Sequence, residues 1–307
     1  MSVGGRCIRE VPVSAIGLGA MPLSIEGRPD EARAFATVHA ALDAGVTLID
    51  TADSYHWHAD ERGHNEALIA RAVAAYGGDA SAVLVATKGG RGRPGDGSWT
   101  VDGRPEHLKR ACAESLRRLG GEAVGLYQLH KPDPRVPFAE SVGALRELLD
   151  AGAIRMAGVS NVDAGQIREA HEILGGRLAS VQNEYSPAVR DSEAELRLCD
   201  ELGIAFLPWS PLGGISRSSL DGPSAAAADA TVRTTPYPAF HEVAREHGVS
   251  PQRVALAWLL AKSPVVVPIP GASRPGTIRD SAAAGEVVLT VEEFARLDEA
   301  AGGVPLT

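Results

Sequence analysis

From residue 33 onward, short runs of β-branched and aliphatic residues alternate with longer stretches in which apolar positions recur at spacings of three and four. The short runs read as strands and the long ones as amphipathic helices. Strands are predicted at 15–18, 47–50, 83–87, 125–129, 154–159, 180–183, 204–209 and 265–269. Helices are predicted at 31–44, 66–76, 105–119, 138–151, 163–174, 192–202 and 251–261. Asp163, Asp191 and Ser250 stand where helix N-caps are wanted, and Pro105 and Pro251 stand in first turns, where a missing N–H costs nothing. Gly45, Gly152 and Gly203 precede strands, at points where a left-handed residue turns a finished helix back toward the sheet.

Alternation of this kind builds a parallel α/β sheet, because each helix is the crossover between two strands. Eight such units predict a (β/α)8 TIM barrel, a single domain over residues 1–307, with a doubly wound sheet as the rival arrangement. No proline-rich linker or shift in composition divides the chain. Two segments break the repeat and are expected as long loops at the C-terminal rim: 89–103, rich in Gly and Arg, and 213–235, rich in Ser and Ala. Within the second, the low-complexity run 224–230 reads either as a poorly ordered linker or as a mobile cover over a ligand.

Composition narrows function more than fold. Hydrophobic residues at 44% and charged residues at 22% exclude a disordered or fibrous chain. A formal charge of -9 offers no basic face to nucleic acid or an anionic membrane, so a small-molecule partner is expected. The longest apolar helical run, 254–261, falls far short of the roughly 20 residues that cross a bilayer. Residues 1–10 carry glycines and charges rather than a secretory leader, and a cytoplasmic location is expected. Cys7, Cys112 and Cys199 are odd in number, far apart and in no CxxC spacing, which disfavours a disulfide framework and a thiol or zinc mechanism. His56, His58 and His64 form no recognisable ligand set, so no metal is expected. Gly90, Gly92 and Gly95 have the spacing of a dinucleotide fingerprint, but Pro94 keeps a helix from opening there. No heptad or large apolar face marks an interface, and a monomer or weak oligomer is expected.

Barrels of this class build their active sites at the C-terminal ends of the strands. There the second predicted strand ends in Asp50-Thr51-Ala52-Asp53-Ser54-Tyr55, the third in Thr87-Lys88 and the fourth in Leu129-His130. A carboxylate, a phenol, an amine and an imidazole therefore converge. The next three strands end in Ser160-Asn161, Gln182-Asn183 and Trp209-Ser210, which are hydroxyl, amide and aromatic groups suited to holding a planar polar ring.

In this order the motifs resemble the aldo-keto reductase superfamily of NAD(P)H-dependent (β/α)8 barrels. The resemblance covers nearly the whole chain and rests on residues 49–55 (IDTADSY), 87–89 (TKG), 129–133 (LHKPD), 158–161 (GVSN), 181–187 (VQNEYSP), 209–214 (WSPLGG) and 269–273 (IPGAS). It implies an intact catalytic tetrad of Asp50, Tyr55, Lys88 and His130. Hydride transfer to a carbonyl carbon builds negative charge on the oxygen, and Tyr55 is the expected proton donor. A free phenol titrates near about 10, so Lys88 is expected to favour its ionised form. Asp50 would hold the ammonium, and His130 would orient or polarise the carbonyl.

For the cofactor, the resemblance implies that Ser160, Asn161 and Gln182 hold the nicotinamide carboxamide. Trp209 would stack on the ring, at a place where many relatives carry Tyr. The stretch Ser210, Pro211, Leu212 and Gly214 would approach the pyrophosphate. Gly271, Ser273 and Arg274 match the loop that receives a 2'-phosphate, and Asp280 and Ser281 fall at adenine-binding positions. The Lys-Ser pattern of some branches is missing, yet the planar fork of Arg274 can pair with phosphate, so NADPH is expected over NADH. After Tyr55, segment 56–64 is longer than the short turn expected in relatives, and Trp57, His58 and Trp99 are expected to border an aldehyde or ketone substrate. The main alternative is a nucleotide-binding regulatory or sensor protein with little turnover, since the superfamily includes channel β-subunits. A hydrolase or lyase using Asp50 and Glu66 lacks a second strand-end carboxylate.

Overall fold

The computed structural model describes residues 5–216 and 237–301. It opens on an antiparallel hairpin of β1 (Arg6–Ile8) and β2 (Val11–Val13). There follow β3 (Leu18–Gly19), α1 (Glu31–Asp43), β4 (Leu48–Asp50), α2 (His64–Ala74) and β5 (Leu84–Gly89). A two-rung antiparallel ribbon, β6 (Arg91–Gly92) with β7 (Thr100–Val101), then precedes α3 (Pro105–Leu119). The alternation resumes with β8 (Val124–Leu129), α4 (Phe138–Asp150), β9 (Ile154–Ser160), α5 (Ala164–Ile173), β10 (Leu178–Gln182), α6 (Glu193–Leu202) and β11 (Ala205–Phe206). Past the undescribed stretch come α7 (Pro238–His247), α8 (Pro251–Lys262), α9 (Pro275–Ala282) and α10 (Val291–Ala300).

Seven strands form one parallel sheet in the order β11-β10-β9-β8-β5-β4-β3. The expected eighth strand is present as a rung between the sheet's two edges. On one side Val267 N–H donates to Phe206 O at 2.9 Å and Ile269 N–H to Pro208 O at 3.3 Å. On the other side Pro268 O accepts from Gly17 N–H at 2.9 Å and Pro270 O from Gly19 N–H at 3.0 Å. Pro268 and Pro270 have no N–H to return, so pairing with β3 shrinks to a single bridge between Gly19 and Gly271 as the (β/α)8 barrel closes. Gly19 is required at this seam: a Cβ there would stand 2.6 Å from Ile269 O.

Pleat alternation sorts the barrel interior into layers. Leu48, Leu84, Leu126, Met156, Leu207 and Val267 pack inward together with Ile8 and Val13 of the hairpin, which plugs the floor. Arg6 pins that hairpin by donating to Val266 O at 3.1 Å and Leu260 O at 2.7 Å. Two or four residues further along the same strands, the inward positions become Asp50, Lys88, Gln128 and Trp209, so the apolar floor gives way to a polar rim. Outside the sheet, helices bury apolar stripes around Trp258, Phe240 and Leu145 on one side and Val38, Ile69 and Ile278 on another.

Capping follows the expected chemistry at most ends. Asp163 and Gln166 form a reciprocal capping box, and Ser250 caps the Pro251 helix by accepting from Arg253 N–H. Asp191 was expected to cap α6, but Ser192 occupies that place without a side-chain bond. Gly45, Gly152 and Gly203 all have positive φ, as their positions after helices require. Segment 89–103 is not a plain loop, since it carries the β6–β7 ribbon. Most of segment 213–235, including 224–230, lies outside the described residues. Among the described residues no helix is long and apolar enough to cross a membrane.

Candidate active site

The rim of β4 and β5 brings Asp50, Tyr55 and Lys88 together. Asp50 ends β4 and is aligned with Ala86 of β5, two residues before Lys88. Tyr55 reaches the same point because a turn follows Asp50, with Tyr55 N–H donating to Ala52 O at 3.3 Å. The Lys88 ammonium is fully buried and spends its three donors on Asp50 Oδ1 at 2.6 Å, Thr51 O at 2.9 Å and Tyr55 Oη at 2.9 Å. Asp50 Oδ2 accepts from Gln182 Nε2 at 2.9 Å and, at 3.5 Å, from Gln128 Nε2. His130 closes the group edge-on to the Tyr55 ring, with centroids 5.6 Å apart.

Electrostatics in this group follow from burial. Desolvation pulls the Lys88 ammonium down, but Asp50 and Tyr55 outweigh it and hold its pKa above the ordinary value. Burial also raises Tyr55, and the opposing pull of Lys88 does not reverse it because Asp50 pushes the other way. Lys88 does favour the ionised phenol as expected, but burial is the larger effect and the net shift is upward. His130 is held well below its usual range by burial and by the Lys88 and Arg91 cations, so its ring is neutral at pH 7.

A cavity of about 630 Å³ runs from this group across the rim. Its lining includes Asp50, Tyr55, Arg91, Trp99 and His130, then Ser160, Asn161, Gln182 and Trp209, and also Arg274, Asp280 and Ser281. Two left-handed residues shape the middle wall, Asn161 at φ 59 and Ser210 at φ 47. Asn161 Nδ2 donates to His130 O at 2.9 Å, and Ser160 Oγ to Gln182 O at 2.6 Å, which locks the hydroxyl and amide layer to both neighbouring strands.

These walls fit a nicotinamide dinucleotide. The buried Trp209 Nε1 has no hydrogen-bond partner among the described residues, an unpaid polar atom beside the cavity. Elsewhere in the lining, α9 has no side-chain cap, and Gly276 and Thr277 of its first turn line the cavity next to Arg274, an arrangement that could hold a phosphate. Among the described residues no cluster of three or more His, Cys, Asp or Glu could hold a metal ion.

Of the residues expected at the site, Ser160, Asn161, Gln182, Trp209, Ser210, Pro211, Leu212, Gly271, Ser273, Arg274, Asp280 and Ser281 line the cavity with Asp50, Tyr55, His130 and Trp99, while Lys88 lies buried behind them. Gly214 does not: it packs on Tyr237, where a Cβ would meet the ring at 2.4 Å. Trp57 and His58 also stay outside, stacked on each other 5.1 Å apart with Arg28 over the indole. Glu66 is buried in pairs with Arg118 and Thr87, away from the cavity. Sequence reasoning missed Gly19, Met21, Pro22, Arg91, Ser216, Gln252, Gly276 and Thr277 in the lining. Arg91 was signalled by lying three residues after Lys88, while Gln252 carried no signal beyond its place in the first turn of a helix.

The sequence profile described as the aldo/keto reductase family matches residues 15–301. An uncharacterized oxidoreductase of Schizosaccharomyces pombe is 32% identical over 296 residues, covering 95% of this chain and 88% of its own. The structure of a glycerol dehydrogenase from Gluconobacter oxydans aligns with a TM-score of 0.82 at 28% identity, covering 100% of this chain and 98% of that one. An aldo/keto reductase from Klebsiella pneumoniae, solved in complex with NADP and acetate, aligns at 0.75 and 26% identity over 100% of this chain and 98% of its own.

Proposed function

This chain belongs to the aldo/keto reductase family and is a nicotinamide-dependent oxidoreductase, and from that premise we propose that it reduces an aldehyde or ketone to an alcohol with NADPH, Tyr55 giving the proton. The observation that carries the reading is the chain of hydrogen bonds from Tyr55 Oη through Lys88 Nζ to Asp50 Oδ1, at 2.9 and 2.6 Å, facing the cavity. Reduced nicotinamide, when bound, supplies the hydride. What the protein adds is a proton in the right place and a charge to steady what remains. Burial keeps the proton on Tyr55 at neutral pH, which is the form a donor needs. Once it is given up, the Lys88 ammonium stands against the phenolate oxygen, and Asp50 keeps that ammonium from turning away. A neutral His130 beside Tyr55 can offer a ring N–H to the carbonyl oxygen without competing as an acid.

Ser160, Asn161 and Gln182 would face the carboxamide and Trp209 the ring, with residues 210–212 along the pyrophosphate. Preference for NADPH over NADH rests on Arg274 beside the N-terminus of α9, a cation and a helix dipole suited to a 2'-phosphate.

The test is fluorescence titration with NADPH and NADH, followed by 4-nitrobenzaldehyde and the loss of nicotinamide absorbance, for wild type and Tyr55→Phe. NADPH is expected to bind more tightly, and the variant to lose about 10²–10⁴-fold in kcat with NADPH affinity unchanged. Failure of both nucleotides to bind, or full turnover by Tyr55→Phe, overturns the reading.

A further inference from the structure

Arg91 is the one lining residue at the reaction end of the cavity whose charge the described residues do not answer. It follows Lys88-Gly89-Gly90, and Gly90, at φ 95, turns the chain so that the β6–β7 ribbon lifts Arg91 and Trp99 over the Tyr55 and His130 rings. Trp99 lies edge-on to both, with centroids 6.5 Å from Tyr55 and 6.3 Å from His130, and the Arg91 guanidinium lies 4.5 Å from the Trp99 centroid. Arg93 rests against the same indole at 4.6 Å and makes a useful contrast. Its charge is matched by Glu26 at 2.6 Å, and it donates to His56 O at 2.9 Å. The Nε of each arginine is buried without a partner, but Arg91, half-buried, makes no ion pair among the described residues. The Asp50 carboxylate, which also lines the cavity, is already taken by Lys88 and Gln182.

Contact with Trp99 holds the guanidinium over the indole, and no described residue takes its N–H groups. A half-buried cation held that way is costly to keep unpaired, and a carboxylate is the group whose two oxygens match the fork. Cofactor phosphate is read onto other residues of the same cavity, 210–212 and Arg274, and leaves Arg91 unmatched. Resting on the reductase reading above, we propose that the substrate is a carbonyl compound that carries a carboxylate, and that Arg91 is the specificity residue that pairs with it beside Tyr55 and His130. Substrates of this class include oxo acids and semialdehyde acids.

The proposal is tested with two aldehydes of nearly equal shape, 4-carboxybenzaldehyde and 4-nitrobenzaldehyde, turned over with NADPH by wild type, Arg91→Gln and Arg91→Lys. Wild type is expected to favour the carboxylated aldehyde by about tenfold or more in kcat/KM, carried mostly by KM. Arg91→Gln should erase that ratio while still reducing the nitro compound, and Arg91→Lys should keep part of it, since the charge remains and the fork is lost. Benzoate, as a competitive inhibitor against 4-nitrobenzaldehyde, should weaken about tenfold or more in Arg91→Gln. Turnover of both aldehydes with the same ratio in wild type and Arg91→Gln, or unchanged benzoate inhibition, overturns the role of Arg91 and leaves the reductase reading standing. Turnover of neither aldehyde defeats both.

Discussion

Replacing Asp53 by Asn isolates a buried charge that the reaction does not use. Asp53 stands three residues beyond β4 with its carboxylate sealed from solvent. Oδ2 accepts from Arg62 at 2.6 Å, whereas Oδ1 has no partner among the described residues. Burial outweighs Arg62, and with Glu66 adding repulsion the carboxyl is pushed up from 3.8 to about 6. At about 1.4 kcal/mol per pH unit that displacement is worth about 3 kcal/mol. Between these two values the native protein holds a proton that the unfolded chain has released, so stability falls as pH rises through the window. Asn cannot titrate. The stability of Asp53→Asn minus that of wild type should therefore climb by about 2–3 kcal/mol between pH 4 and pH 7, measured by urea unfolding at several pH values. Losing the anion beside Arg62 shifts the whole difference but not its slope, because Arg62 stays charged throughout. A difference that is flat with pH, or that falls as pH rises, would refute the claim that this carboxylate is held above its ordinary range.

Other substitutions probe the remaining parts. Lys88→Met leaves Asp50 buried without its cation and should lower unfolding free energy by about 3 kcal/mol at pH 7, read from the urea midpoint. Arg274→Ala should raise the Kd for NADPH about tenfold or more and leave that for NADH within a factor of two, by Trp quenching. Gly19→Ala drives a methyl against Ile269 O and Pro270 and should cost about 1–3 kcal/mol in a thermal melt, together with cofactor affinity, since Gly19 also lines the cavity.

The sequence carried the barrel because its pattern is periodic and local. Leu48, Leu84 and Leu126 face inward for the same reason that Asp50, Lys88 and Gln128 do: they lie an even number of residues apart on strands in register. Strand ends are also where motifs accumulate, so Tyr55 and His130 could be found without coordinates. Short elements were harder. The three-residue strands of the β1–β2 hairpin show no period, and α9 opens on Pro275-Gly276, poor helix formers that hide its start. Whether a side chain turns into the cavity or away from it is a tertiary fact. Trp57 and Trp99 are both aromatic and both near the tetrad in sequence or space, yet one stacks outward under Arg28 and the other lines the pocket. Gln128 gave no motif of its own, and only the closed barrel puts it opposite Asp50.

The rung at residues 265–271 ties segments roughly 250 residues apart in the chain, so its loop closes late and at a high entropic cost. The cavity wall continues directly from that rung through Gly271 and Ser273 to Arg274. A ligand gripping those residues therefore clasps the seam where the ends of the sheet meet. On the proposed reading, nucleotide held there would work as a fastener as well as a reactant, and opening of the barrel should grow rarer in proportion to how tightly it is held.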